Sequence, residues 1–414
     1  MEIKTKQLTV LLLSTFIFTL GFGITVPIMP FFAKSMGGTV VDVGILMALF
    51  SLAELVFAPV WGKVSDRFGR KPVIMIGLLG FGLAFTATGL STSLLMLYGS
   101  QLIAGALAAG IFPAVMASIA DQTEPEQRGR YMGLLGAASG LGIIVGPVSA
   151  SVIALLGLNV PYFAAAALGL ITAAVALVWL PETRLASKSG PTKQANGWRL
   201  ALKPQLLIFF LMMLFVCTAM ASLESTLGFF TMDRYGLSET ASAMPILWTT
   251  IELTGTNLLG IAYLFFGVAG VLTQVLLVGK LMEKAGETRT IALGFLMVGA
   301  GTILLVLAGE MSLLLLASLV IAVGIGLLQP SLITAVSNRT DKEHQGVTMG
   351  LLGSFNSAGR AAGPIAGGLA YSVSWLLPYA LSAAVSLFSA LLILVWRTKG
   401  DREHNSVKAL SVEQ

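Results

Sequence analysis

The feature that most limits the fold of this chain is a series of long apolar segments separated by short polar ones. Twelve segments have the ~20 residues that a helix needs to cross a bilayer. Hydrophobic residues make up 56% of the chain and charged residues only 11%, whereas about 25% of a soluble protein is charged. We therefore predict an all-α membrane protein. The predicted spans are 8–32, 44–62, 73–91, 95–119, 131–156, 160–180, 205–232, 258–279, 289–308, 313–337, 346–372 and 376–396.

The two halves of the sequence resemble each other at an offset of 217 residues. Pro113 then falls on Pro330, and nine of the nineteen positions in 129–147 are identical to those in 346–364. Chance similarity between apolar helices would rarely keep glycines and a proline in one register. We therefore predict two pseudo-symmetric six-helix bundles. The predicted organisation is a first bundle at 1–180, a polar linker at 181–204, a second bundle at 205–396 and a tail at 397–414.

Basic residues are distributed unevenly among the polar segments. With the amino terminus inside, the termini, the even-to-odd loops and the linker hold 22 of the 25 Lys and Arg residues. Lys34 and Arg234 fall on the opposite side, and Arg360 falls inside span 11. Because Lys and Arg accumulate in cytoplasmic loops, we predict that both termini are cytoplasmic, in a multi-pass protein of the cell membrane. The first apolar run is too long for a secretory signal, and no small-residue cleavage site follows it.

Several classes of function find no support in the sequence. No P-loop is present, so ATP hydrolysis is not expected. His344 and His404 are isolated and lack the spacing of metal ligands, and the single cysteine, Cys217, rules out an internal disulfide. The basic residues are spread over short loops rather than gathered into a patch for nucleic acid. We therefore expect neither an enzyme nor a bound cofactor, metal or nucleic acid.

The most specific motif lies between spans 2 and 3. Residues 62–72 read Gly-Lys-Val-Ser-Asp-Arg-Phe-Gly-Arg-Lys-Pro. So many charges cannot lie in hydrocarbon, and we predict a tight loop at one membrane face. The motif resembles the corresponding loop of the major facilitator superfamily, and it is most similar to that of the twelve-span drug–proton and tetracycline–proton exporters. The resemblance covers all twelve spans.

Individual residues of this loop have expected roles. Gly62 lacks a side chain, so we expect a neighbouring helix to approach it closely. Asp66 is expected to cap the next short turn. The resemblance implies that Arg70 pairs with Asp121 at the inner end of span 4 and holds the outward-facing state closed from inside. The other members of the motif are Arg67, Gly69 and Lys71.

Span 5 contains a second motif, made of Gly133, Gly142, Gly146 and Pro147. It resembles the antiporter motif of the drug-exporter branch. Glycines allow helices to pack closely, and the proline frees a carbonyl and kinks the helix. The family usually continues with two glycines, which Ala150 and Ser151 replace here. The copy in span 11 keeps them as Gly367 and Gly368.

Glu224 is a charged residue inside predicted span 7, where a charge costs at least ~2.5–3.5 kcal/mol. Ala221 and Gly228 lie on its helix face and are expected to leave room for a ligand or water. The run 222–226 resembles the carboxylate region of Gram-positive multidrug exporters, in which a glutamate carries protons. Burial favours the protonated form of a carboxyl group, and a lipophilic cation could compete for it. Glu224 is thus predicted to carry protons or substrate, the alternative being a structural hydrogen bond between helices.

Two further charges lie inside spans. Glu54 is in span 2 and Arg360 in span 11, and in this family the two spans lie side by side at the interface of the halves. We therefore hypothesise a Glu54–Arg360 ion pair. A role of Glu54 in carrying protons or substrate stays open, and Glu54, Arg360 and Gln101 are candidate coupling residues beside Glu224. Gln101 stands where many proton-coupled relatives carry an arginine, four residues before Gly105.

Some acidic residues of the related exporters are absent. Span 1 lacks the aspartate of the tetracycline group, and Gly326 and Gln329 occupy the stretch of span 10 in which Gram-positive relatives carry one. Magnesium–tetracycline is therefore a poor candidate substrate. The residues predicted to line an apolar cavity are Phe16, Phe22, Phe112, Phe229, Phe230, Tyr263, Gln329, Phe355 and Asn356.

About 17 residues around 237–254 interrupt the repeat, since span 1 matches span 7 only at an offset of about 200. This insertion holds Glu239, Trp248 and Glu252. We expect a short surface helix that acts either as a plain outer loop or as a lid over the substrate opening.

Together these features predict a monomeric secondary transporter of the major facilitator type. It would export small lipophilic or amphipathic compounds, such as antibiotics, in exchange for protons as the two bundles rock about a central cavity. Two alternatives stay open. One is a proton-coupled transporter of a native metabolite, such as a sugar, an amino acid or a lipid precursor. The other is a membrane scaffold or sensor that does not transport.

Overall fold

A computed structural model of the chain describes residues 5–123, 125–182, 204–237, 242–246, 249–340 and 344–412. Within these ranges the chain is helical apart from turns and one two-stranded hairpin. Eleven described helices are long and apolar enough to cross a membrane, and another helix, Gln345–Val373, lies where span 11 was predicted. The all-α membrane fold is therefore confirmed.

The helices extend beyond most of the predicted apolar runs. The first six spans are Thr5–Ser35, Val40–Phe68, Arg70–Gly89, Leu94–Ala108 with Ile111–Gln122, Pro125–Ile153 and Val160–Trp179. The last six are Pro204–Tyr235, Gly255–Ala285, Glu287–Leu307, Met311–Asn338, Gln345–Val373 and Leu377–Val412. Polar residues at the helix ends need not enter hydrocarbon, so the helices can continue past the bilayer. Most of the predicted linker lies outside the described residues.

The predicted loop at 62–72 is in fact a single-residue hinge. Span 2 stays helical to Phe68 and span 3 begins at Arg70, so only Gly69 interrupts the helices. Its φ of +108° lies in a region that favours glycine. Gly286, 217 residues later, separates spans 8 and 9 in the same way with φ +80°. We call the surroundings of Gly69 the first corner and those of Gly286 the second corner.

Two spans depart from regular α-helix. Span 4 is divided between Ala108 and Ile111, just before Pro113, whose ring clashes with the carbonyl four residues earlier. Span 8 contains a π-helical turn at Gln274–Val278. Such a turn accommodates one more residue than the α-helix around it.

The insertion between spans 7 and 8 forms strands rather than the expected surface helix. Ser242–Ile246 and Thr249–Leu253 pair antiparallel, with Ser242 opposite Leu253. Pro245 cannot lie inside a helix without cost, and the β-branched run 249–251 favours a strand. Glu252 lies opposite Ala243, whereas Glu239 and Trp248 lie outside the described residues.

The chain divides into two compact units. The first comprises Met1–Gln194, Met220–Gly267 and Arg360–Pro378, and the second comprises Ala195–Ala219, Val268–Gly359 and Tyr379–Gln414. Parts of spans 7 and 11 thus belong to the first unit, where Gly228 packs against Pro30 and Gly368 packs against Val40. These units differ from the predicted halves, and the six-plus-six division stays a prediction.

Candidate functional site

The first unit brings three charged side chains of its spans into one neighbourhood. Glu54, Glu224 and Arg360 are all partly buried. Arg360 is close enough to both carboxyl groups for its charge to attract each of them. Its guanidinium carbon also lies 4.2 Å from the ring centroid of Phe22, within the range of a cation–π contact. The charge of Arg360 therefore attracts two carboxyl groups that lie 170 positions apart in the sequence.

The hypothesised ion pair between Glu54 and Arg360 is not formed. Among the described side chains, no ion pair within 4.0 Å joins them. Arg360 instead lies over the Phe22 ring, and its charge attracts both Glu54 and Glu224. The arrangement is a triad of charges without direct contact, rather than a closed pair.

Glu224 has an unsatisfied oxygen. Its Oε2 atom is buried and has no hydrogen-bond partner among the described residues. An ionised oxygen left in this condition carries a large desolvation cost, so the site favours a proton or a ligand there. The expected space beside Gly228 is absent, because Pro30 of span 1 fills it.

Gln101 is a second unsatisfied group. Its side chain is buried in span 4, and its Nε2 atom has no hydrogen-bond partner among the described residues. One turn along the helix, Gly105 packs against the Phe50 carbonyl of span 2. Span 4 thus holds a neutral amide in a tightly packed position, where an arginine would need a compensating charge.

The predicted cavity residues fall into several neighbourhoods. Phe22 contacts Arg360, and the centroid of its ring lies 6.4 Å from that of the Phe50 ring. Phe229 packs beside Tyr371, and Tyr263 packs against the cluster of Phe31, Met232 and Leu259. In the second unit, Phe355 stacks on Phe210 and Asn356 donates to the Met213 sulfur. Phe16 and Phe112 are partly buried, Phe230 is buried and Gln329 is exposed. Phe22 thus adjoins the charged triad.

The first corner is an ion-pair network centred on Arg70. Its Nε donates to Asp121 over 3.0 Å, as the resemblance implied, and its Nη1 contacts Asp66 at 2.5 Å. The backbone N–H of Arg70 donates to Glu182 over 2.9 Å. Lys71 donates to the Leu177 carbonyl. The corner therefore fastens the start of span 3 to the ends of spans 2, 4 and 6.

Two expectations for this loop are wrong. Asp66 does not cap the next turn, because it lies inside span 2 and pairs with Arg70 one turn later. Gly62 does not admit a close neighbour, since a Cβ atom there would meet nothing within 4 Å. Arg67 is exposed, and its guanidinium carbon lies 5.2 Å from the centroid of the Phe68 ring.

The glycines of span 5 mostly act as expected. Cβ atoms at Gly142 and Gly146 would collide with the backbone of span 1, at Phe16 and Leu20 respectively. Gly133 differs, because nothing lies within 4 Å of its Cβ position. In span 11, Gly367 packs in the same way against Ser222 of span 7.

Sequence reasoning missed the ion pair of the second corner. Glu287 and Arg339 form an ion pair there, and Asn338 donates to Glu287 over 3.2 Å. Arg339 also lies over the rings of Phe209 and Trp396, at 4.7 and 5.5 Å. The offset of 217 places Glu287 on Arg70 and Asn338 on Asp121. The internal repeat could therefore have predicted that polar groups from these two places meet in the second half as well.

Comparison with known proteins agrees with this architecture. The sequence profile of the Major Facilitator Superfamily matches residues 11–260 and 240–412. The chain belongs to the major facilitator superfamily. This facilitator is 31% identical to Multidrug resistance protein 2 of Bacillus subtilis strain 168, over 96% of each chain. It is 29% identical to the class B tetracycline resistance protein of Escherichia coli, over 95% of this chain and 98% of the other.

A solved structure gives the same fold. The nucleoside transporter NupG superposes with a TM-score of 0.78 at 13% identity, over 95% of this facilitator and 99% of NupG. The predicted kinship with the drug-exporter branch is confirmed by the relatives. The facilitator is therefore a multi-pass membrane transporter of small molecules and not an enzyme.

Proposed function

We propose that the chain exports small lipophilic or amphipathic compounds in exchange for protons, by alternating access. The observation that supports this most is the buried Glu224 oxygen without a hydrogen-bond partner among the described residues, close to the charge of Arg360. A proton would satisfy the oxygen, and a lipophilic cation would compete for the same carboxylate. The drug-resistance names of the relatives point to the same class of substrate.

Arg360 would couple the two carboxyl groups of the triad. When Glu224 binds a proton, it no longer attracts the guanidinium, and the charge of Arg360 is left to Glu54. When Glu224 loses the proton, the attraction is shared again. Proton binding at Glu224 would thereby change the force between spans 2 and 11, which carry Glu54 and Arg360.

The proposed location, orientation and mechanism rest on the amino-acid sequence. The cell-membrane location and the cytoplasmic termini are supported by the 22 of 25 basic residues on one side. The first corner would then lie on the cytoplasmic side and fasten the outward-facing state. Two six-span bundles in a monomer would rock about the substrate site, and each proton that enters would supply ~2.3 kcal/mol per 100 mV.

The test is proton-coupled transport in everted membrane vesicles with Glu224→Gln. Ethidium, a lipophilic cation, is added to energised vesicles, and its accumulation and the lumenal pH are recorded together. In the wild type, ethidium should accumulate and the lumen should become more alkaline. In Glu224→Gln, both signals should fall by at least about tenfold, because the amide cannot exchange a proton.

Glu310→Gln is the matched control, since Glu310 lies between spans 9 and 10 rather than inside a span. This variant should keep the wild-type signals. A Glu224→Gln protein that still exchanges ethidium for protons would remove Glu224 from the coupling. Ethidium accumulation without any change of pH would contradict proton coupling altogether, and a lack of flux with ethidium and with a panel of antibiotics would contradict drug export.

A further inference from the structure

A small cavity lies where spans 7 and 11 end, away from the charged triad. It has a volume of about 130 Å³ and is lined by Phe230, Asp233, Arg234, Tyr371 and Trp375. The rings of Phe230 and Trp375 are tilted by 46° to each other, with their centroids 5.9 Å apart. The Tyr371 hydroxyl donates to Asp233 over 2.7 Å and so fixes the carboxylate at the wall. Three aromatic rings and an oriented carboxylate thus converge on one space.

This combination of groups is suited to a cation. The face of an aromatic ring carries negative charge, and cages of aromatic rings recognise quaternary ammonium groups. A carboxylate adds a charge of the opposite sign to the ligand. Tyr371 and Phe230 are buried, whereas Trp375 is 40% exposed, so two walls are fixed in the protein and the third is open to an incoming molecule.

The size of the cavity limits the ligand. Sites for whole drug-sized molecules have volumes of about 300–1,000 Å³, well above the 130 Å³ found here. The space suits one ammonium head group, with the rest of the molecule outside. The cavity is therefore too small for a central transport site, but it could bind the charged end of a larger compound.

Arg234 shows where a cation can lie in this cavity. Its guanidinium carbon is 6.0 Å from the Trp375 ring, at the outer limit of a cation–π contact. Lys34, the nearby second cation, instead directs its ammonium group to the Met232 sulfur and the Phe229 ring. A positively charged group is thus already accommodated beside the Trp375 ring, at the edge of the cavity.

We propose that this cavity is a binding site for the quaternary ammonium group of an organic cation, distinct from the Glu54–Glu224–Arg360 triad. Trp375 and Phe230 supply the cage, and Asp233, held by Tyr371, supplies the countercharge. Arg234 competes with the ligand for Trp375. Binding at this site does not depend on the proposed export function, since none of its lining residues belongs to the triad.

The test is calorimetric titration of the purified full-length protein with tetramethylammonium chloride, with sodium chloride as the reference. We expect saturable binding of tetramethylammonium. Asp233→Asn keeps the shape of the side chain and removes its charge, and it should weaken binding by about tenfold. Trp375→Leu should have a similar effect, whereas Trp375→Phe keeps a ring and should weaken binding only about threefold. Thermal melting of each variant checks that it is folded.

Arg234→Gln gives the sharpest result because its sign depends on the ligand's charge. Removing a competing cation should tighten tetramethylammonium binding, whereas an anion site would lose affinity for its ligand. Glu310 is the control carboxylate, since it lines a cavity of about 450 Å³ that has no aromatic side chain among its described lining residues. Glu310→Gln should bind like the wild type. The losses in Asp233→Asn and Trp375→Leu should persist when each is combined with Glu224→Gln, which separates this site from the transport proposal.

Three results would overturn the proposal. The first is an absence of saturable tetramethylammonium binding to the folded wild type. The second is wild-type affinity in Asp233→Asn, which would exclude the countercharge. The third is weaker binding in Arg234→Gln, which would assign Arg234 to an anion rather than to competition with a cation.

Discussion

The two corners join equivalent spans with ion pairs of opposite polarity. In the first corner a cation, Arg70, begins span 3 and contacts an anion, Asp121, at the end of span 4. In the second corner an anion, Glu287, begins span 9 and contacts a cation, Arg339, at the end of span 10. Each corner turns on one glycine with positive φ. The two corners therefore share a glycine and a pair of opposite charges, but the signs of the two charges are exchanged.

The corners also differ in what surrounds the cation. Arg70 has a second carboxylate partner, Asp66, and its own N–H is bound by Glu182. Among the described side chains Arg339 pairs with one carboxylate, and the faces of Phe209 and Trp396 lie against it. The residue at the Asp66 position of the second corner is the exposed Glu283. In the part of the chain that the structure describes, the first corner is thus held by several ion-pair contacts, and the second by one ion pair and aromatic packing.

The largest effect is expected from Arg70→Ala. It leaves Asp66 and Asp121 without their shared cation, and removing one partner of a partly buried pair costs about 1–3 kcal/mol. Ethidium transport by vesicles with equal amounts of protein should fall about tenfold, as ~1.4 kcal/mol corresponds to a factor of ten. Arg67→Ala is the matched control, because it removes the same charge from an exposed side chain, and it should change transport little. Equal losses in both variants would mean that the corner works through net charge alone.

A smaller effect is expected from Arg339→Ala, since the second corner has a single ion pair among the described side chains. Transport should fall about threefold, and the protein should lose about 1–2 kcal/mol of unfolding free energy from the ion pair and the two ring contacts. Arg339→Lys keeps the charge but loses the planar stacking, so its unfolding free energy should lie midway between those of the wild type and Arg339→Ala. Thermal unfolding in detergent measures the stability. Arg289→Ala changes an exposed residue near the same corner and should leave the melting temperature unchanged. If Arg339→Ala melted at the wild-type temperature, neither the ion pair nor the ring contacts would contribute to stability.

The smallest effect is expected when the polarity of the second corner is built into the first. Arg70→Asp with Asp121→Arg restores a pair of reversed sign, but it places the introduced carboxylate one turn from Asp66, where like charges repel. Adding Asp66→Asn should remove that repulsion and bring ethidium transport to within about twofold of the wild type. A triple variant no better than Arg70→Ala would show that the sign at this corner matters for more than the local pair.

The sequence was sufficient for the spans and for the Arg70–Asp121 pair. Apolar runs longer than ~20 residues have few structural alternatives, and charged residues with fixed spacing identify a family. It was insufficient where a contact depends on packing. Arg360 lies over Phe22 rather than against Glu54, and no spacing rule places a ring from span 1 beside a charge from span 11.

Local breaks were also hard to predict. The hinge at Gly69 is one residue long because the helix of span 2 continues through the charged residues that were assigned to a loop. The hairpin at 242–253 was mistaken for a helix, although Pro245 and the β-branched residues after it carried the opposite signal. The lining of the 130 Å³ cavity brings together residues of span 7, Tyr371 of span 11 and Trp375 just after span 11. These segments are far apart in the chain and share no motif.

The wide turn at Gln274–Val278 gives span 8 a spare residue. Since a turn of this kind corresponds to one inserted amino acid, deleting a single residue there would restore a regular α-helix and leave the facing of Gly279–Ala285 unaltered. The equivalent stretch of span 2, at 57–61, lies in continuous α-helix, and the same deletion would rotate everything after it by about 100°. Tolerance of shortening is thus expected to be unequal in the two copies of the repeat.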